Sequence, residues 1–141
     1  MSIVLLVEDN PMDVALTQDA FHLKLPEVEL RVARNGRSAL DYLLGNDQYT
    51  DRELHPLPDL VLLDLKMPGI SGHDVLREVK SNAALKLIPM IVLSSSNVEK
   101  DIRQSYALGA NSYLVKPIVF DEFLDVVRKI GEYWLTINCR P

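Results

Sequence analysis

Cysteine is nearly absent from this chain: its 141 residues include one, Cys139. A lone thiol cannot close an internal disulfide, so the fold must rest on its core, and a reducing, cytoplasmic setting is expected. Long apolar runs are lacking as well. Stretches such as Ile3 to Val7 and Leu60 to Leu63 fall far short of the roughly 20 residues that cross a bilayer. No basic region precedes the first run and carboxylates follow it at once, so neither a secretory leader nor membrane association is expected. Dense Lys/Arg runs are missing too. The balance is 15 basic against 20 acidic residues, a formal charge of −5. Nucleic-acid binding normally rests on a basic face that displaces counterions, so direct contact with DNA or RNA is not expected. There is no internal repeat, low-complexity segment or linker.

What is present is an ordinary globular composition, 48% hydrophobic and 25% charged, long enough for one domain with a full core. Ile3-Val4-Leu5-Leu6-Val7, Leu60-Val61-Leu62-Leu63 and Met90-Ile91-Val92-Leu93 are continuous β-branched and leucine runs. Such runs suit strands buried on both faces of a parallel sheet. Val28 to Val32 alternates apolar and charged residues, as a half-exposed edge strand does, and Ser112 to Val115 is a short fifth strand. Helices are predicted over Pro11–Leu23, Gly36–Leu44, Gly72–Ser81, Val98–Leu108 and Phe120–Leu135, with Gly109 ending the fourth through a left-handed turn. The first should turn Val14, Phe21 and Leu25 toward the sheet, and the second Ala39, Leu40, Leu43 and Leu44. Gly45 to Pro58 reads as a long, exposed polar loop. Five strand–helix repeats predict an α/β fold, a doubly wound (βα)5 domain with a parallel five-stranded sheet; if that sheet is flavodoxin-like and runs 2-1-3-4-5, strands 1, 3 and 4 lie side by side.

In an open sheet of this kind, ligands bind beyond the carboxyl ends of the strands, near the reversal of strand order. The chain places Glu8 and Asp9 after the first strand, Asp64 after the third, Ser94 at the fourth and Lys116 after the fifth. Two carboxylates about 5 Å apart repel by roughly 3 kcal/mol at an effective dielectric of about 20. A hard divalent cation would offset that, and Mg²⁺ suits a site with few carboxylates and a phosphate oxygen. Lys116 supplies further positive charge. A metal-neutralised carboxylate beside an amine and a hydroxyl is suited to receiving a phosphoryl group, with Asp64 as nucleophile. Taken singly, each residue has a plainer reading. Asp64 could cap a helix, Glu8-Asp9 could cap the first helix, the serines could form a polar turn, and Lys116 could be a surface charge. It is the conjunction, each type at the end of the right strand, that points to chemistry.

The stretches Val7-Glu8-Asp9-Asn10, Leu62-Leu63-Asp64-Leu65-Lys66-Met67-Pro68-Gly69 with Gly72, Val92-Leu93-Ser94-Ser95, and Gly109-Ala110 followed by Tyr113-Leu114-Val115-Lys116-Pro117 resemble the receiver domains of bacterial two-component response regulators. The resemblance covers residues 3–133. It implies Asp64 as phosphoacceptor, Glu8 and Asp9 as the acidic pair holding Mg²⁺ or Mn²⁺, and the backbone carbonyl of Lys66 as a further metal ligand. It implies Ser94 as switch hydroxyl, Lys116 as the phosphoryl-binding lysine and Tyr113 as the aromatic switch, and Lys116-Pro117 is similar to the family's cis peptide. Phosphorylation adds roughly −1.5 to −2 charge; Ser94 would move to meet it, and Tyr113 would rotate into the space left.

Lys66 and Ser96, each two residues past a site residue, could flank the path of a water attacking the acyl phosphate, and Lys66 is expected to slow that attack. With no output domain after the last helix, output is expected through protein contact. Tyr133, Trp134, Leu135 and Ile137 carry apolar character past the expected end of the domain, which suits a homodimer interface or back-folding on the same chain. The Gly45–Pro58 loop and the Gly131–Leu135 tail are similar to single-domain regulators paired with phytochrome histidine kinases. A bacteriophytochrome is therefore the expected kinase, and another hybrid kinase the alternative. Other classes fit less well. An Asp-nucleophile phosphatase of the haloacid dehalogenase type would carry a second Asp where Lys66 stands. A flavin binder would need a phosphate cradle where Glu8 and Asp9 lie, and a pseudo-receiver would lack a site residue. No enzymatic turnover of an external substrate is expected.

Overall fold

The computed structural model describes residues 1–141. Five strands, β1 (Ile3–Val7), β2 (Glu29–Ala33), β3 (Leu60–Leu63), β4 (Met90–Ser94) and β5 (Ser112–Val115), alternate with five helices. The helices are α1 (Pro11–Lys24), α2 (Gly36–Leu44), α3 (Gly72–Ser81), α4 (Glu99–Ala107) and α5 (Phe120–Ile130). The strands form one parallel sheet in the order β2-β1-β3-β4-β5, the order expected from the sequence.

Side chains alternate across each strand, so the continuous apolar runs feed two cores. Leu5, Val7, Val61, Leu63 and Val92 meet Ala39, Leu40 and Leu43 of α2 and Val75, Leu76 and Val79 of α3 on one face. Val4, Leu6, Leu60, Leu62 and Leu93 meet Ala20 and Phe21 of α1 and Phe123, Val127 and Ile130 of α5 on the other. Val14 and Leu25 are buried as predicted, whereas Leu44 is 43% exposed, because it lies on the final residue of α2 beyond the sheet. Helix α4 is held least firmly: Ser105 is its one buried residue.

Two expectations change and one is refined. The Gly45–Pro58 segment is largely exposed, as predicted, but it is pinned to the end of α2. It opens with Gly45 in the left-handed conformation and a 3₁₀ turn at Asp47–Tyr49. Arg52 then folds back, donating to the Tyr42 and His55 carbonyls from Nη1 and to the Leu43 carbonyl from Nη2. Helix α5 gives way at Gly131 to a wider π-helical segment, Gly131–Ile137, instead of running on to Leu135. Finally, no peptide bond is cis: Lys116–Pro117 is trans. The Lys116 amide donates to the Ser94 carbonyl at 2.8 Å, and that contact carries the chain into the site without a cis bond.

Candidate phosphoacceptor site

Each site residue is held by an extension of the sheet. Just beyond the strand ends, the Glu8 amide donates to the Ala33 carbonyl at 3.0 Å and the Asp64 amide to the Val7 carbonyl at 3.0 Å. The ladder fixes these side chains where the parallel strands point their carboxyl ends. The turn after Asp64 is closed by Gly69 at φ 75° and by the Gly72 amide, which donates to the Leu65 carbonyl at 3.0 Å. A Cβ on Gly72 would collide with the Asp64 carbonyl, so only glycine lets α3 start this close to the acceptor. Ser71 and Asp74 then cap α3 reciprocally.

Helix α1 is capped by Asn10, whose Oδ1 accepts from the Met12 and Asp13 amides at 2.9 and 3.2 Å. Asn10, not Asp9, is therefore the cap, and Glu8 supports it by accepting the Asn10 amide on Oε2 at 3.2 Å. One oxygen from each of Glu8, Asp9 and Asp64 lies within 4.8 Å of the others. Glu8 is 1% exposed and Asp64 9%. Burial, followed by the charge of Glu8, pushes the Asp64 carboxyl up to about 6. The Lys116 ammonium lies 2.5 Å from Glu8 Oε1 and 3.5 Å from Asp13 Oδ2. Burial alone would lower its pKa, but the hydrogen bond and charge of Glu8, with Asp64 and Asp13 behind it, raise it. One ammonium does not balance this many carboxylates, and an all-oxygen donor set of this size fits a hard divalent cation.

The remaining residues gather on the same edge. Ser94 is fully buried, and its Oγ accepts from the Ser96 amide at 3.2 Å. Tyr113 packs against the α2/α3 core, and its hydroxyl donates to the Ser96 carbonyl at 2.8 Å, so the tyrosine and the serine loop already communicate. Lys66 and Ser96, read as flanking a water path, both meet Asp101 of α4. Asp13 and Asp101 were invisible as site residues in the sequence, because each meets its lysine from a distant part of the chain. In the tail, Trp134 and Leu135 pack on the α1/α5 core, while Tyr133 and Ile137 are 49% and 60% exposed. The four do not form one free face.

With this geometry in place, comparison with known proteins is direct. The response regulator receiver domain family matches residues 4–128, and the chain belongs to it. The probable methanogenesis regulatory protein FilR2 of Methanothrix harundinacea is 39% identical over 139 residues, covering 99% of this chain and 87% of that protein. Response regulator Rcp1 of Synechocystis is 38% identical, covering 99% and 92%, and its Mn²⁺-bound structure superposes with a TM-score of 0.88 over 100% of this chain and 99% of that one. The phosphorylated cyanobacterial phytochrome response regulator RcpA superposes with a TM-score of 0.92 at 38% identity, covering 99% and 98%. The chain is thus a two-component receiver domain similar to phytochrome-associated regulators. No helix is long and apolar enough to cross a membrane.

Proposed function

We propose that Asp64 accepts a phosphoryl group from the phosphohistidine of a sensor kinase and that the chain signals by protein contact. The observation that carries this reading is the convergence of Glu8, Asp9 and Asp64 within 4.8 Å, beside an ammonium 2.5 Å from Glu8. In the transfer, an Asp64 oxygen forms a bond to phosphorus as the phosphorus–nitrogen bond breaks, and the imidazole nitrogen keeps the electron pair and takes a proton. Glu8, Asp9 and Asp64, with the Lys66 carbonyl, would hold Mg²⁺, which when bound supplies charge for the phosphoryl oxygens. Lys116 would leave Glu8 and Asp13 to meet those oxygens, and Ser94 would donate to one of them, drawing the Ser96 loop and with it Tyr113 after it.

A phytochrome-type histidine kinase is the partner that the likeness to the phytochrome response regulator RcpA favours, and the exposed thiol of Cys139 fits a cytoplasmic setting. The exposed Tyr133 and Ile137 favour pairing of two copies through the tail; light scattering of wild type against Tyr133→Ala tests that. Turnover of an external substrate is no part of this reading, since Lys66 stands where a phosphatase of this type would place its acid. Incubation with acetyl phosphate and Mg²⁺ should give stable, stoichiometric label that Asp64→Asn abolishes and chelation prevents. Equal labelling of Asp64→Asn, or rapid release of inorganic phosphate, would refute it.

A further inference from the structure

Asp101 lies in the first turn of α4, outside every motif that marks the site, yet three elements meet at its side chain. Its Oδ2 accepts from Ser96 Oγ at 2.6 Å and lies 3.3 Å from Lys66 Nζ. Lys66 belongs to the loop leaving the acceptor strand, Ser96 to the loop leaving Ser94. The carboxylate is 15% exposed, whereas the Lys66 side chain is 68% exposed, so Asp101 is the enclosed partner and Lys66 the one that reaches to it. The Ser96 hydrogen bond, with Lys66 contributing behind it, holds the Asp101 carboxyl below its usual value. Ser96 is fixed in turn, because its carbonyl accepts the Tyr113 hydroxyl and its amide donates to Ser94. The Asp101 carbonyl takes the Ser105 hydroxyl at 2.8 Å, and that hydroxyl meets His73 Nε2 of α3 at 3.0 Å. With so little apolar burial under α4, these polar ties set where its first turn lies.

We propose that Asp101 is a positioning residue that sets the lifetime of the phosphoryl group on Asp64, acting through Lys66. Ser96 aims the carboxylate, and the carboxylate holds the Lys66 side chain across the approach to the acceptor. The inference rests on Asp64 being that acceptor. In hydrolysis, a water oxygen forms a bond to phosphorus as the bond to the Asp64 oxygen breaks. The carboxylate leaves with the electron pair, and the water proton ends on the released phosphate. Such attack needs a clear line opposite the leaving oxygen. A lysine anchored at its tip obstructs that line, and one free to swing does not.

The test is the decay of label at constant Mg²⁺ after removal of the phosphodonor, in wild type, Asp101→Asn, Asp101→Glu, Lys66→Ala and the double variant Asp101→Asn/Lys66→Ala. Asn keeps an oxygen for Ser96 but loses the ion pair. Asp101→Asn should lose label about twofold to fivefold faster, the factor that one partly exposed ion pair supplies. Asp101→Glu should stay near wild type, and the double variant should decay no faster than Lys66→Ala alone. That last comparison separates positioning from a general loosening of α4, which would add to the Lys66 effect. An unchanged or longer lifetime in Asp101→Asn overturns the inference, as does an undiminished effect in the Lys66→Ala background. If wild type labels no better than Asp64→Asn, the acceptor reading fails and takes the inference with it; if wild type labels and the rates agree, the inference alone fails.

Discussion

Lys116 is bonded to Glu8, its ammonium 2.5 Å from Oε1, and the bond joins the end of β5 to the end of β1 across the two strands between them. This pair spans the crevice in which Asp64 lies, and it makes the stability of the fold depend on the chemistry of the site.

Lys116→Met should therefore destabilise the protein. It leaves the Glu8 carboxylate, 2% exposed at the side chain, with its ammonium removed. Breaking one partner of a buried pair costs about 3 kcal/mol. Urea unfolding in EDTA measures it, and Glu8→Gln added to Lys116→Met should recover much of the loss. A single variant as stable as wild type would mean that water, not Lys116, compensates Glu8.

Asp64→Asn should do the opposite without metal. Burial, and after it the charge of Glu8, pushes the Asp64 carboxyl up to about 6, in a cluster where an oxygen from each of three carboxylates lies within 4.8 Å of the others. Removing one charge should stabilise the chelated protein by about 1–3 kcal/mol. Millimolar Mg²⁺ should raise the melting temperature of wild type more than that of the variant, narrowing the gap. A gap that Mg²⁺ leaves untouched would show that no cation binds among these groups.

The capping box of α3 has its own pH signature. Two hydrogen bonds from Ser71, first from its amide and then from its hydroxyl, hold the Asp74 carboxyl below its usual value of 3.8. A depressed folded-state pKa contributes stability above the unfolded value, which is lost as pH falls through the folded one. Asp74 is half exposed, so the contribution stays under about 1 kcal/mol. Wild type should exceed Asp74→Ala in stability at pH 7, and the margin should shrink below about pH 4. A pH-independent margin would assign the effect to helix packing.

These relationships divide into those written locally and those that are not. The strands, the two cores and the gathering of Glu8, Asp9, Asp64, Ser94 and Lys116 were legible, because each follows from an apolar run and the residue that ends it, once the sheet has the order 2-1-3-4-5 that the runs alone do not dictate. The capping of α1 was ambiguous, since Asp9 and Asn10 are both good caps and the choice is made by geometry. Asp13 and Asp101 carried no local signal: each is an ordinary first-turn acid until folding brings Lys116 or Lys66 to it. The trans Lys116–Pro117 bond was beyond reading too, because the two isomers differ by only about 0.5–1 kcal/mol. The tail was half legible. Its aromatics mark a surface, but Gly131 against Leu25 and the π-helical turn direct Trp134 inward and Tyr133 outward.

Arg52 shows how a segment read as an exposed loop is tied to the domain. Helix α2 ends with carbonyls that have no helical partner. The Arg52 guanidinium takes two of them, Tyr42 and Leu43, at 2.8 Å each, and ties in the His55 carbonyl at 3.1 Å. Around it, Tyr42, Tyr49 and His55 pack tilted or edge to face with ring centroids 5.0–5.9 Å apart, and the Tyr42 hydroxyl donates to the Pro56 carbonyl. Arg52→Ala removes three charge-assisted bonds at once. Water can replace some of them, so the net loss should be about 2 kcal/mol rather than the full sum. The loop should also open locally before the domain unfolds, so limited proteolysis should cut within residues 46–57 in Arg52→Ala while wild type resists. A lysine side chain keeps the charge without the planar fork, so Arg52→Lys should restore little. Cleavage of wild type and Arg52→Ala at equal rates would mean that the aromatic cluster alone holds the segment down.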